Sequence, residues 1–167
     1  SVLTNNQYFG GSLEDLLLAR SACHLPLLRK EFIVDAYQIH EAKAYGADAI
    51  LLIAACLSAD ETHHLAKTAN SIGLEVLLEV HNKAELDRSP LTFVDVVGVN
   101  NRNLNDFTVS LETSLALVEY IPSEKVKISE SGISSHKAIA TLQKVGFDGF
   151  LMGEHFMLHE SPGDAAQ

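Results

Sequence analysis

Apolar residues occur along this chain in short unbroken runs rather than in strict alternation. The runs are PLLRK (26–30), DAILLI (48–53), LEVLLEV (74–80), FVDVVGVN (93–100), KVKIS (125–129) and GFLMG (149–153). Continuous apolar character over so few residues suits strands covered on both faces, as in a parallel sheet. The segments between them read as helices. Ser12, Asp35, Ser58, Asn82 and Ser134 each precede a helical pattern and are read as N-caps, because their side chains can accept a free amide of the first turn. Gln38, Glu61 and Glu85 stand three residues after three of these caps, the spacing of a capping box. Gly46, Gly73 and Gly146 each fall between a helical pattern and the next strand, where a left-handed residue closes a helix.

The strand starts lie 19 to 32 residues apart, one strand plus one crossover helix each time. Such alternation predicts a parallel α/β sheet, either open and doubly wound or closed into an eight-stranded (β/α)8 TIM barrel. No GxGxxG or GxxxxGK[ST] phosphate turn follows an early strand, as a doubly wound nucleotide binder would require, so the barrel is favoured. Six strands and a short apolar tail, SVLT, are fewer than a barrel needs. The expectation is a single domain over residues 1–167, a partial barrel holding the end of strand 2 and strands 3 to 8. About two N-terminal βα units and part of the last helix are missing on this reading. The chain opens without a methionine, in an apolar segment, and reads as a piece of something longer.

Composition narrows the function classes. The 167 residues are 47% hydrophobic and 20% charged, with a formal charge of -10. That balance, without a Lys/Arg-rich run, argues against nucleic acid or an anionic membrane as a partner. No run of about 18 apolar residues suggests a membrane span, and a cytoplasmic protein is expected. Cys23 and Cys56 lack CxxC spacing and are read as small core residues of a reducing compartment. His63-His64 and the pair His155 and His159 suggest no third ligand, so no metal and no cofactor are expected.

In barrels the C-terminal ends of the strands carry the chemistry. Those ends offer Lys30, Ile53, Glu79, Asn100 with Arg102, Glu130 with Ser131, and Gly153. A lysine, two carboxylates and an amide would thus converge on one mouth. Lys30 closes the apolar stretch LLRK, and whether it donates a proton depends on desolvation against nearby carboxylates; pairing at the barrel rim is the plainer alternative. Glu79, between Leu78 and Val80, reads as a desolvated carboxylate suited to being a base. SESGIS (129–134) and LMGEHF (151–156) each place a small residue or glycine between strand and helix, where backbone amides can meet an anion.

The stretches SVLTNNQYFGGS, LPLLRKEFIVDAYQI, GADAILLI, VLLEVH, VGVNNRNL, SESGI and LMGEHFM, in this order, resemble the indole-3-glycerol-phosphate synthase family. The resemblance covers nearly the whole chain and implies the eight-stranded barrel. It implies ring closure of 1-(2-carboxyphenylamino)-1-deoxyribulose 5-phosphate, with loss of carbon dioxide and water, in tryptophan biosynthesis. On this resemblance Lys30 is the general acid, Glu79 the base, and Asn100 and Glu130 orient the reacting centre. Arg102 holds the substrate carboxylate, and Ser131, Gly132 and Gly153 cradle the phosphate. Phe9, Phe32, Leu51, Leu104, Phe107 and Leu151 fall where family members line an apolar slot for the aromatic ring; core packing accounts for them equally well.

Two departures stand out. The family's first-strand Pro-Ser-Lys motif has no counterpart here, and Glu154 stands beside Gly153 where some members have serine, so that its carboxylate must turn away from a phosphate. Two alternatives remain at this stage. One is another phosphosugar barrel enzyme, such as the isomerase acting one step earlier, which would use a cysteine and aspartate pair that no strand end offers. The other is a non-catalytic scaffold that binds phosphorylated ligands or self-associates through open barrel edges.

Overall fold

A computed structural model describes residues 1–104 and 106–166. Its centre is one sheet of seven parallel strands in strict chain order. They are β1 (Val2–Leu3), β2 (Leu28–Lys30), β3 (Ala49–Ile53), β4 (Glu75–Val80), β5 (Val96–Asn100), β6 (Val126–Glu130) and β7 (Gly149–Leu151). The SVLT tail supplies β1, and each predicted apolar run supplies a strand, although the ends of several runs fall in the flanking loops. Between strands lie α1 (Asn6–Phe9), α2 (Leu13–Ala22), α3 (Ala36–Ala44), α4 (Ala59–Ser71), α5 (Lys83–Arg88), α6 (Glu112–Leu117) and α7 (His136–Lys144). Two four-residue helices follow β7, α8 (Glu154–Met157) and α9 (Pro162–Ala165). No helix among the described residues is long and apolar enough to cross a membrane.

The sheet curls strongly. β2 and β6 are four strands apart, about 19 Å along a flat sheet, yet Lys30 Nζ of β2 lies 3.0 Å from Glu130 Oε2 of β6. Only a sheet rolled toward a barrel brings those two side chains together. The two faces are packed separately. Residues such as Ile50, Leu52, Val76, Leu78, Val97 and Val99 face the helices and join Leu16, Ile39, Leu65, Leu86 and Leu142 in the larger core. Their neighbours Leu51, Ile53 and Leu77 face the other way and form a smaller inner cluster with Leu28, Phe32, Val96, Ile128 and Leu151. Burial on both faces is why these strands carry no alternation.

Local chemistry sets the helix starts. Ser12, Asp35, Ser58 and Asn82 each accept an amide of the first turn, as the sequence predicts. Ser58 with Glu61 and Asp35 with Gln38 form full capping boxes. Ser12 forms a third with Asp15, which the search for Glu or Gln passed over. Three expectations are corrected. The α7 cap is Ser135, not Ser134, since its hydroxyl accepts from Ala138 N. Glu85 does not close a box on Asn82; its carboxylate accepts the His81 amide at 2.8 Å instead. Cys56 lies exposed at the end of a 3-10 turn, Ala54–Cys56, whose first residue is buried, and is not a core residue.

Three aspartates repeat one device at the N-terminal side of the sheet. Asp48, Asp95 and Asp148 directly precede β3, β5 and β7, and each Oδ2 accepts an amide from the preceding strand region: Leu27 N, Val76 N and Lys127 N, all at 2.8 Å. Each pins the start of one strand against its neighbour. The catalytic candidates lie at the opposite ends of the same strands.

Candidate active site

Four residues predicted at the strand ends meet in the concave side of the sheet. Lys30 ends β2, Glu79 is the penultimate residue of β4, Asn100 ends β5 and Glu130 ends β6. Parallel register aligns them: Ile53 pairs with Glu79, Glu79 with Gly98, and Asn100 with Glu130. Period-two alternation then points Glu79 and Glu130 to the same side as the inner cluster. Lys30 Nζ donates to Glu79 Oε2 at 3.1 Å and to Glu130 Oε2 at 3.0 Å, and Asn100 Nδ2 donates to Glu79 Oε1 at 3.0 Å. Glu79 and Glu130 are 3% and 2% exposed, so an ammonium bridges two nearly dry carboxylates.

Gly98 makes room for this arrangement. A Cβ at that position would stand 2.3 Å from Glu130 Oε1 and 3.0 Å from Leu77 Cδ1. Among the described residues, Glu130 Oε1 has no hydrogen-bond partner.

Reading strand ends missed His81, the residue after β4. Its Nε2 lies 3.2 Å from Glu79 Oε1, off good hydrogen-bond alignment, and its Nδ1 lies 3.1 Å from Glu85 Oε2. The VLLEVH stretch contains the signal, since the first residue beyond a strand end can fold back over the mouth. Burial opposes the charge on His81, but the two carboxylates outweigh it and raise the imidazole to about 9. Burial likewise works to raise both carboxyls. In Glu79 the effect is overcome by His81, Lys30 and the Asn100 hydrogen bond, which hold it well below the usual carboxylate range. In Glu130 burial and the Glu79 charge win over Lys30 and push it up to about 7. Lys30 is raised above its ordinary value, because the two glutamates more than offset its desolvation.

The other expected residues are distributed around this centre. Arg102 gives its backbone amide to Asn100 Oδ1 at 3.0 Å, while its guanidinium turns outward to Glu154 Oε2 at 2.7 Å. Glu154 is thereby turned onto Arg102. Ser131 and Gly132 adopt left-handed backbone, φ 66° and 71°, and Val109 packs where a Gly132 Cβ would be. Gly153 directly precedes α8. Leu51 and Leu151 belong to the inner cluster beneath the mouth. Phe32 stacks on Phe9 with ring centroids 5.9 Å apart, and Leu104 and Phe107 lie exposed on a turn closed by the Arg102–Val109 bridge. A cavity of about 320 Å³ beside the mouth is lined by His81, Glu85, Asn100, Arg102 and Leu104, among others.

Asn101 is a second residue the strand-end reading passed over. It points away from the mouth, is 2% exposed, and its Nδ2 donates to Ser129 Oγ and the Ser131 carbonyl at 3.0 and 3.1 Å. Its Oδ1 accepts Ser114 N at 3.1 Å, so one buried amide ties β5 and α6 to the Ser131 turn.

Residues 1–167 match the family described as Indole-3-glycerol phosphate synthase. Proteins of that name from Delftia acidovorans, Acidithiobacillus ferrooxidans and Bacteroides thetaiotaomicron are 47%, 50% and 46% identical, over 99%, 100% and 100% of this chain. The chain spans 62–64% of the length of these relatives. Among solved structures, the tryptophan synthase a2b2 complex from Pyrococcus furiosus aligns with 88% of this chain and 64% of its own, at a TM-score of 0.67 and 16% identity. A mutant alpha-subunit of the same enzyme gives a TM-score of 0.68 over 88% of this chain and 63% of its own, at 17% identity. At that identity the likeness is one of fold, and it identifies the sheet as part of a TIM barrel. A family match over every residue, together with half-identical relatives of that name, places this chain in the indole-3-glycerol phosphate synthase family.

Proposed function

We propose that these residues carry the reacting centre of an indole-3-glycerol phosphate synthase, working in the cytoplasm on 1-(2-carboxyphenylamino)-1-deoxyribulose 5-phosphate. The observation that carries the reading is Lys30 held between Glu79 and Glu130 at the mouth of the sheet. In the first step an aromatic carbon bonds to the sugar carbonyl carbon while Lys30 gives a proton to the carbonyl oxygen. The carboxyl group then leaves as carbon dioxide, its bonding electrons restoring the aromatic ring. Loss of the new hydroxyl with a proton, as water, completes the indole. Glu79, ionised at neutral pH, accepts the proton near the substrate nitrogen, and Asn100 and Glu130 hold the reacting carbons in register.

The anionic ends have their own partners. Arg102 exchanges Glu154 for the substrate carboxylate, a like-for-like swap of one carboxylate for another. The left-handed Ser131-Gly132 turn, with Gly153, offers backbone amides to the phosphate. Phe9, Phe32, Leu104 and Phe107 form the apolar walls for the aromatic ring, over a floor of Leu51 and Leu151. The partner is thus a small phosphorylated molecule rather than nucleic acid or a membrane.

The test is indole fluorescence on mixing with the carboxyphenylamino-deoxyribulose phosphate, using this chain extended to the length of its relatives. Lys30→Ala should lower kcat by about 10²- to 10⁴-fold, the usual worth of a general acid, with inorganic phosphate still a competitive inhibitor. A fully active variant removes Lys30 from the chemistry. No signal from the unaltered protein points instead to a different phosphosugar or a binding scaffold.

A further inference from the structure

We propose that His81 is a positioning residue for the reacting centre: braced by Glu85, it keeps Glu79 the ionised member of the carboxylate pair and so makes Glu130 the member that carries a proton. The inference rests on the reading of Lys30, Glu79 and Glu130 as that centre.

The geometry is asymmetric. Glu79 faces positive or donating groups at both oxygens, with Lys30 on Oε2 and Asn100 and His81 on Oε1. Among the described residues Glu130 has Lys30 as the cation on Oε2, and its buried Oε1 meets no donor. Two buried carboxylates sharing one ammonium do not both ionise easily, and the proton goes to the less stabilised one. Without His81, the difference between them reduces to one asparagine hydrogen bond.

His81 is also set to serve as a cation. Its two ring nitrogens each face a carboxylate oxygen, Glu79 Oε1 at 3.2 Å and Glu85 Oε2 at 3.1 Å. A neutral imidazole would turn a lone pair on one of them, whereas the doubly protonated ring donates Nδ1–H to Glu85 and sets positive charge against Glu79, though Nε2 lies off good hydrogen-bond alignment. Glu85 is fixed in turn by the His81 amide and Asn82 Nδ2, at 2.8 and 2.9 Å. This anchors the imidazole from outside the mouth. The charged and titratable groups around the cluster are Lys30 from β2, Glu130 from β6, Glu85 from α5, Arg102 across the adjoining cavity, and Cys56 on the 3-10 turn, which feels both Glu79 and Glu85. Among the described residues, His81 and Lys30 are the two cations that stand directly against Glu79.

Carboxyl carbon-13 NMR of glutamate-labelled protein, extended to the length of its relatives, reads the arrangement without turnover; Glu79→Gln and Glu130→Gln assign the two signals. Between about pH 4 and pH 9 the Glu79 carboxyl should stay ionised while Glu130 titrates. In His81→Gln the Glu79 midpoint should rise by about one to three pH units, toward that of Glu130. Glu85→Gln should move it the same way by less, and serves if His81→Gln does not fold. A Glu79 signal unmoved by either variant overturns the proposal, as does a Glu79 that holds the proton in the unaltered protein. The expected titrations in a protein that forms no indole would leave the proposal standing and refute the functional reading alone.

Discussion

A lysine that ends an apolar strand is uncommon because desolvation disfavours its charge. Lys30 keeps its charge because two glutamates, two and four strands away from it in the sheet order, reach it as the sheet curls. Each residue was visible in the sequence as a strand end, and pairing of Lys30 with Glu79 or Glu130 was legible as the plainer alternative; that Lys30 meets both at once was not, because sequence position does not give curvature. His81 and Gly98 were legible only afterwards. One lies a residue beyond its strand, and the other acts by the side chain it lacks, leaving room for Glu130. The imidazole also links this cluster to stability. Its value rises from 6.5 to about 9 on folding, so the native state binds the extra proton more tightly than the unfolded chain between those values. The contribution is therefore full below pH 6.5 and is lost as pH rises through about 9. Tm measured across that range should fall more steeply in the unaltered protein than in His81→Gln; parallel curves would show that the two glutamates do not hold the ring charged.

At the scale of elements, capping and closing residues were the most readable part of the chain, because they act over three or four positions. Ser12, Asp35, Ser58 and Asn82, with Gly46, Gly73 and Gly146, sit where the pattern put them. Helix α6 was not anticipated. Its N-cap residue, Leu111, has no capping side chain; Ser110 Oγ accepts Glu112 N, and Asn101, thirteen residues before Ser114 in the chain, accepts Ser114 N. The aspartate clamps are long-range in the same way: Asp95 reaches Val76 N across nineteen residues. Removing that acceptor leaves a strand amide unpaired. Asp95→Ala should destabilise the protein by about 1–3 kcal/mol, measured by urea unfolding, with little change in the fluorescence assay because the clamp lies at the far end of β4 and β5. A large loss of activity at unchanged stability would contradict that separation.

The molecule as a whole is an open sheet. β1 pairs on one side with β2 and β7 on one side with β6, and the described strands do not close on themselves. The two unpaired parallel edges among the described strands can template pairing with another copy, and we propose that the chain by itself self-associates through them. Sedimentation across a range of concentrations checks it: mass should increase with concentration, and one monomeric species throughout would count against open edges that pair. The strict order of the strands has another consequence. In its backbone pairing every described strand is bonded only to its predecessor and successor along the chain, so outside the Lys30 bridge the molecule is organised like a linear array in which opening one end need not disturb the other. Burial is greatest in β3, β4 and β5 and smaller toward β1 and β7. Deuterium should therefore enter from both ends inward, reaching the amides of β4 last; the glutamate that meets Lys30 and His81 would then be carried by the strand that opens least.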